Sequence, residues 1–466
     1  MHTNFSKCAA LPIRCSPEQL AAASQTLSCP ILQFPTTYLG IPLSVRKIPT
    51  SALLPLIDKL ARKLSTWCGS MLSRGERLAL VRHVLCAMPM HLLMAMALNK
   101  SILGQANKII RSFLWIGHKD ARGGHGLVAW PRVCRPLSFG GLGVRDLHRA
   151  GIALRVRWLW LQRTDEARPW QHLHLPSDPE VAAVFRASTI WAVGDGSSCR
   201  FWLDHWINGR TTAEIAPLVF NLVPRGRRKN RLMRDGLLQR TWVQDIHGAL
   251  GPLALLQYVE LWRQVQLVQL SDAPDAIRWC WTDFGHYSAK SCYEQLFVGS
   301  IRDPHWRPIW RSWAPTRVKI FLWLAALDRY WTAARLARHN LPHADSCLFY
   351  DQDTECIQHI LARCPFSRQV WFDTLSWCRL PIPPQDPGAD FLSWWEHSHN
   401  SLPASARKGF NSLVMLTVWE LWKHRNGCVF DGLRPSTTSL SETIRQEALL
   451  WASAGANGLH NIVGIG

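Results

Sequence analysis

Apolar residues along this chain recur mostly at three- and four-residue intervals, the period of a helix with one buried face. Leu53, Ile57, Leu60 and Leu64 set the first clear stripe, with Lys59, Arg62 and Lys63 on its other side. A second helix is expected after Arg74-Gly75, presenting Leu78, Val81, Leu85 and Met88 until Pro89 kinks or ends it. A third follows Asn99 with Ile102, Ala106, Ile109 and Phe113 inward. A fourth resumes at Asp146 and carries Leu154, Trp158 and Leu161. Before these, residues 17–28 read as a short helix behind a Ser16 cap, and residues 38–43 as an extended turn.

Between Gly117 and Gly143 the pattern breaks into Gly-rich segments. Residues 190–210 alternate like short strands around a Gly194-Asp-Gly-Ser turn. A helix is expected over 253–270. A hairpin is expected around Asp283-Phe-Gly285, flanked by Trp279, Trp281 and Tyr287. Ser288 caps a helix through Phe297, and two more are expected near 318–327 and 332–339. Beyond a Pro-rich break at 381–387 lies a helical pair around 410–425 and 440–452. The fold class expected is mainly α, a multi-unit helical assembly with short β-hairpins.

Composition adds two outliers. Trp makes up 25 of 466 residues, and 47% apolar content is enough for a sizeable core. Both argue against bulk disorder. The 53 basic residues against 33 acidic leave a formal charge of +20, with 41 Arg to 12 Lys. That excess fits a polyanionic partner, most simply RNA or DNA, rather than a membrane or a small-molecule substrate. The N-terminal segment has no apolar signal core. The longest apolar stretch, 84–98, contains Pro89 and His91 and falls short of the roughly 20 residues of a membrane span. An intracellular location, nuclear or cytoplasmic, is expected. The 14 cysteines form no CxxC pair and suggest no disulfide framework.

Several segments then match one family in collinear order. Tyr38-Leu-Gly-Ile-Pro-Leu43, Phe113-Leu-Trp-Ile-Gly117, Val128-Ala-Trp-Pro131 and Phe139-Gly-Gly-Leu-Gly-Val144 resemble the region beyond the polymerase core of plant LINE-type (non-LTR) retrotransposon reverse transcriptases. Arg155-Val-Arg-Trp-Leu-Trp160 and Phe201-Trp-Leu-Asp-His-Trp206 follow in the family's order. Tyr287-Ser-Ala-Lys-Ser291, Ile309-Trp310, Lys319-Ile-Phe-Leu-Trp323 and the 347–371 stretch resemble its zinc-binding domain. Trp419-Glu-Leu-Trp-Lys-His-Arg-Asn426 resembles the tail that follows. The resemblance implies four segments: a thumb and connection remnant (1–150), a helical and short-stranded connector with a basic arm (151–278), a small degenerate zinc-binding-like domain (279–378) and a helical tail (379–466).

The family's zinc pattern is a Cys pair two residues apart, then a His, then a Cys. Cys347, His359 and Cys364 match it, while Tyr350 replaces the second Cys of the pair. Tetrahedral zinc takes four ligands, and a neutral phenol is a poor one. Cys356 lies three residues before His359. If that stretch is helical the two share a side, which makes Cys356 a substitute ligand. One zinc ion is the cofactor implied. The alternative is a helical packing unit around Ile360, Leu361, Phe366 and Trp371 that needs no metal.

The family's polymerase carries an Asp-Asp turn that holds Mg²⁺. No Asp-Asp dipeptide occurs in this sequence, so no magnesium site is expected and no catalytic residue is assigned. The expected function is nucleic-acid binding by a retrotransposon-derived part of a reverse transcriptase without its catalytic half. A host-retained interaction or scaffold protein, or a non-functional element remnant, is the alternative. The candidate nucleic-acid contacts are Lys59, Arg62 and Lys63, which a thumb helix would offer a duplex, and the basic run Arg225, Arg227, Arg228, Lys229, Arg231 and Arg234. That run reads equally as a solvated linker. The glycines at 123 and 140 read as turns, since the Lys-Ser/Thr ending of a phosphate loop is missing. His83 and His91 read as core or capping histidines. Most Trp read as core, with Trp158 kept as a base-stacking candidate.

Overall fold

The computed structural model describes residues 8–27, 29–65, 69–118, 126–165, 167–170, 178–383 and 390–463. It is mainly helical, with two antiparallel two-stranded sheets among the described residues. Contacts gather the chain into two units, each drawn from three separate stretches. Residues 1–54, 89–103 and 147–299 form one; residues 55–88, 104–146 and 300–466 form the other.

Local chemistry sets the helix starts where the spacing places them. The Ser16, Asn99 and Ser288 side chains accept the backbone N–H groups of Gln19, Ile102 and Ser291, satisfying first-turn donors at 3.3, 2.9 and 3.1 Å. The helix Leu54–Ser65 buries Leu56, Leu60 and Leu64 and leaves Lys59, Arg62 and Lys63 exposed. The helix Lys100–Ile116 buries Ile102, Ala106, Ile110 and Phe113, so Ile110 takes the place expected of Ile109. Arg74–Leu80 runs into a π-turn, Val81–Leu85, ahead of Pro89.

In the first unit the helix Leu147–Thr164 buries Leu147, Ile152, Val156 and Leu159. Leu154, Trp158 and Leu161 are only half-buried, a correction to the expected face. This helix is apolar on more than one side, so spacing alone does not select the stripe. The strand Thr189–Ala192 pairs with Ala276–Trp279, in register from Thr189 opposite Trp279 to Ala192 opposite Ala276. No strand within 197–210 pairs with it, although the Trp191 N–H donates to the His205 carbonyl at 2.9 Å, and Asp283-Phe-Gly285 is a turn and not the tip of a two-stranded hairpin. The Gly194–Cys199 bend is held by Asp275, whose carboxylate accepts the N–H groups of Gly194, Gly196, Ser198 and Cys199 at 2.7–3.0 Å. Trp202 and Trp242 are fully buried in this unit's core. Trp158 donates from Nε1 to the Met94 carbonyl at 2.9 Å, so its indole is engaged in packing. His83 and His91 are exposed, not core; His91 Nε2 lies 2.9 Å from the Leu39 carbonyl.

In the second unit the long helix Ala404–Phe430 is buried along Phe410–Val418 and packs with Thr437–Ser453 and Thr316–Ala326. Trp323 and Trp395 are fully buried here, so the Trp excess is mostly core. Gly140 is a turn residue with φ +71°, and a Cβ on Gly141 would lie 2.1 Å from the Arg135 carbonyl oxygen. Gly123 and Gly124 lie outside the described residues.

Candidate metal centre and basic pocket

The buried cluster is built by two short structures that meet on the second unit's core. The first is the turn after Cys347, where the carbonyl of Cys347 accepts the N–H groups of Tyr350 and Asp351 at 3.2 and 2.7 Å, and its own N–H donates to the Asp353 carbonyl at 2.8 Å. The second is the π-turn His359–Arg363, in which the Cys364 N–H donates to the His359 carbonyl at 2.9 Å. A hydrogen bond to the fifth residue back widens the turn by one residue. His359 and Cys364, five apart, therefore come back to nearly the same side, which an α-helical turn of 3.6 residues would not do.

As a result one ring nitrogen of His359 and the Sγ atoms of Cys347 and Cys364 lie within 4.8 Å of one another, and all three residues are buried. The Cys347 Sγ accepts the Phe349 N–H at 3.4 Å. Cys364 stands at the N-cap of the helix Pro365–Trp377. The Cys347 thiol beside it, then the backbone N–H groups of Ser367 and Phe366, hold the Cys364 thiol down to about 7 despite burial. Hydrogen bonding between the two sulfurs, then burial, pushes Cys347 upward. The Nε2 of His359 is buried without a hydrogen-bond partner, and its Nδ1 faces the Asp353 carboxylate at 3.8 Å.

Tyr350, which holds the place of the family's second Cys, and its candidate substitute Cys356 both stand apart from this group. Tyr350 is 44% exposed. Cys356 is not among the gathered atoms; it precedes the helical turn rather than lying within it, and its Sγ accepts the His359 N–H at 3.4 Å. The premise that Cys356 and His359 share a helix face is therefore corrected: Cys356 acts as a cap.

Around the cluster Phe349 stacks on Phe366 at 4.5 Å and His424 on Phe366 at 5.6 Å. The Ser367 hydroxyl donates to the Ile360 carbonyl and Trp371 Nε1 to the Leu361 carbonyl, at 2.6 and 2.8 Å. Both bonds satisfy acceptors that the π-turn leaves open. Glu355, buried next to Cys356, accepts two hydrogen bonds from Arg425 of the long helix and the Ala333 N–H at 3.2 Å.

The basic run of the first unit is not a linker. It forms the helix Arg225–Asn230 and leads into Met233–Leu237. Two of its charges turn inward. Arg231 pairs with the buried carboxylate of Asp245, its Nε donating at 2.8 Å, while Trp202 Nε1 donates to the same group at 3.0 Å. Burial raises Asp245, but those hydrogen bonds and charges outweigh it and leave the carboxyl below its usual range. Arg228 caps the Val223 and Asn221 carbonyls at 2.6 and 2.9 Å and lies over the Phe220 ring at 4.3 Å. Arg225, Arg227, Lys229 and Arg234 are exposed.

Folding adds two cations that the run does not contain. Arg186 and Arg200 join Arg225, Arg228 and Lys229 around a pocket of about 370 Å³. Burial, and to a smaller extent the charge on Arg200, lowers Arg186; the nearby Asp204 acts the other way. Asp204 is itself pushed upward by burial. Four arginines and a lysine lining one pocket favour an anion there. No local pattern marks Arg186 and Arg200, since they lie 25 or more residues before the run.

No helix among the described residues is long and apolar enough to cross a membrane. Residues 287–371 match the family model for zinc-binding in reverse transcriptase. The chain is also 25% identical, over 431 aligned positions, to an Arabidopsis thaliana protein named "Putative ribonuclease H protein". That alignment takes in 84% of this chain and 66% of the relative's length. The Cys347, His359 and Cys364 cluster falls inside the family match. The chain carries a reverse transcriptase zinc-binding domain and is a distant homologue of this plant protein.

Proposed function

We propose that this protein is a nucleic-acid-holding part of a plant LINE-type retroelement reverse transcriptase, ordered by one zinc ion at Cys347, His359 and Cys364. The observation that carries the metal reading is the orphaned, buried Nε2 of His359 beside two buried thiols. Around tetrahedral zinc, bonds of about 2.0–2.3 Å place such donor atoms within about 4 Å of one another, so the donors need only a small contraction. The carboxylate of Asp353 on the other face of the imidazole is the usual second partner of a metal-bound histidine. Zinc at this place is structural: it cross-links the Cys347 turn to the π-turn. The chain's own groups favour a thiolate at Cys364, through the backbone N–H groups at the helix N-terminus, while Cys347 receives the Phe349 N–H.

Holding nucleic acid falls to the exposed cations. In the first unit's pocket the exposed Arg225 and Lys229, with the half-buried Arg186 and Arg200 beside them, grip phosphate, while Arg228 holds the pocket's backbone; Lys59, Arg62 and Lys63 offer a second basic face. Arg231 stays out of that role because Asp245 neutralises it. No residue is assigned to polymerisation in this reading, since the paired carboxylates of that chemistry do not occur in the sequence.

Metal analysis of the purified chain tests the first half. About one zinc per chain is expected, lost in Cys364→Ser and kept in Cys356→Ser; equal zinc in all three removes the cluster as the site. Salt-dependent binding to RNA or single-stranded DNA tests the second. Arg200→Gln with Arg225→Gln should weaken binding and flatten the salt slope by about two phosphates' worth. An unchanged slope rejects the pocket. Mg²⁺-dependent primer extension by this chain would refute the non-polymerising assignment.

A further inference from the structure

The second unit contains a larger cavity, of about 680 Å³, well away in sequence from the cysteine and histidine cluster. Its charged rim comes from two helices. Trp306–Arg311 supplies Arg307 and Arg311, four residues apart and so on one face, and Ala404–Phe430 supplies Lys408. All three are exposed. Against these three permanent cations stands one lining carboxylate, Glu396, which also faces His305 at 3.8 Å. The apolar lining is Pro308 and Trp313, both half-buried, with the otherwise fully buried Trp395.

Between rim and apolar lining lie polar groups of fixed direction. The Oδ1 of Asn411 accepts from Trp395 Nε1 at 2.9 Å and lies 3.0 Å from His399 Nδ1. An amide oxygen only accepts, so Nδ1 carries the proton and Nε2 is the acceptor of the neutral ring. Asn400 and Asn457 add amides at the wall.

A lone phosphate would use the rim and leave most of the volume empty. Cavities of about 300–1,000 Å³ hold ligands of drug size, with apolar walls and a few placed polar groups. Guanidinium forks match phosphate oxygens in pairs, and a planar heterocycle suits an indole lining with amide and imidazole edges. We propose that this cavity binds a single nucleotide unit, with the phosphate on Arg307, Arg311 and Lys408 and the base against Trp313 and Pro308. The unit is either a free nucleoside monophosphate or the 5′-phosphorylated end of a strand. The inference does not depend on zinc binding or on the basic pocket of the first unit, and it stands if either fails.

The test uses the full chain with two probes, thymidine monophosphate by calorimetric titration and a 5′-phosphorylated, 3′-labelled octathymidylate by anisotropy. Arg311→Gln and Lys408→Gln sit on different helices and are exposed, and thermal melts check that each variant keeps its fold. Each substitution removes one charge-assisted hydrogen bond and should weaken binding about tenfold or more. Binding of the monophosphate as tight as that of the strand assigns a free nucleotide. Binding of the strand alone, lost when its 5′-phosphate is removed, assigns a strand end. Unchanged affinity in both folded variants, or displacement by orthophosphate or hexaglutamate as effective as by the monophosphate, overturns the proposal.

Discussion

Replacing Glu355 by alanine should destabilise the second unit by about 3–5 kcal/mol, because it strands a buried guanidinium. Glu355 is 2% exposed and Arg425 is 6% exposed. Arg425 Nε donates to Oε2 at 2.9 Å, its Nη2 donates to Oε1, and Oε1 also takes the Ala333 N–H at 3.2 Å. The pair joins the long helix to the segment between Cys347 and His359, 70 residues away in sequence. The loss corresponds to roughly two to four orders of magnitude in the unfolding equilibrium, at about 1.4 kcal/mol per tenfold. With a urea dependence of about 2 kcal/mol/M it is a midpoint shift of about 2 M. The assay is urea unfolding of the single and double variants followed by tryptophan fluorescence. Glu355→Ala with Arg425→Ala should cost much less than the sum of the two, since the second substitution removes the stranded charge. A single-variant loss below about 1 kcal/mol, or strict additivity, refutes the reasoning.

Two further outcomes follow from single contacts. A Cβ on Gly409 would lie 2.1 Å from the Gly458 carbonyl oxygen, so Gly409→Ala must push two helices apart and lower Tm at a cost of about 1–3 kcal/mol. Gly104→Ala, with open space at its Cβ, should instead gain about 0.5–1 kcal/mol; the same sign for both would contradict this packing. The Asp303 carboxylate, 3.6 Å from Nδ1, raises His305 against the effect of burial. Its contribution is therefore complete below the ordinary value of about 6.5 and fades as pH rises through the raised one. A proton NMR titration should place its midpoint above 6.5 and return it toward that value in Asp303→Asn; a midpoint unmoved by that substitution rejects the pairing.

What the sequence makes legible is what local spacing determines. The stripe at Leu60 and Leu64 and the caps at Ser16, Asn99 and Ser288 follow from residues a few positions apart, while the set Cys347, His359 and Cys364 follows from the resemblance to a family's zinc pattern. The π-turn that joins His359 to Cys364 is less visible, although the five-residue interval between two ligands is its signature. Long-range pairing leaves no such mark: Thr189–Ala192 finds Ala276–Trp279 across more than 80 residues. A run of arginines looks the same whether its members face water or a buried carboxylate. Arg231 turns to Asp245 and Arg228 to backbone carbonyls, while Arg186 and Arg200 arrive from elsewhere to complete the pocket. The helix Leu147–Thr164, apolar on several sides, allows two stripes, and tertiary packing chooses between them.

The interleaving of the two units has a consequence for how the molecule is made and handled. The chain changes unit five times, at residues 54, 88, 103, 146 and 299. Stretches 55–88 and 104–146 leave the ribosome long before residues 300–466, which complete their unit, so their apolar faces wait for partners through most of synthesis. Expression of a fragment bounded by the 287–371 match would sever helices from the core that buries them and yield an aggregating peptide rather than a domain.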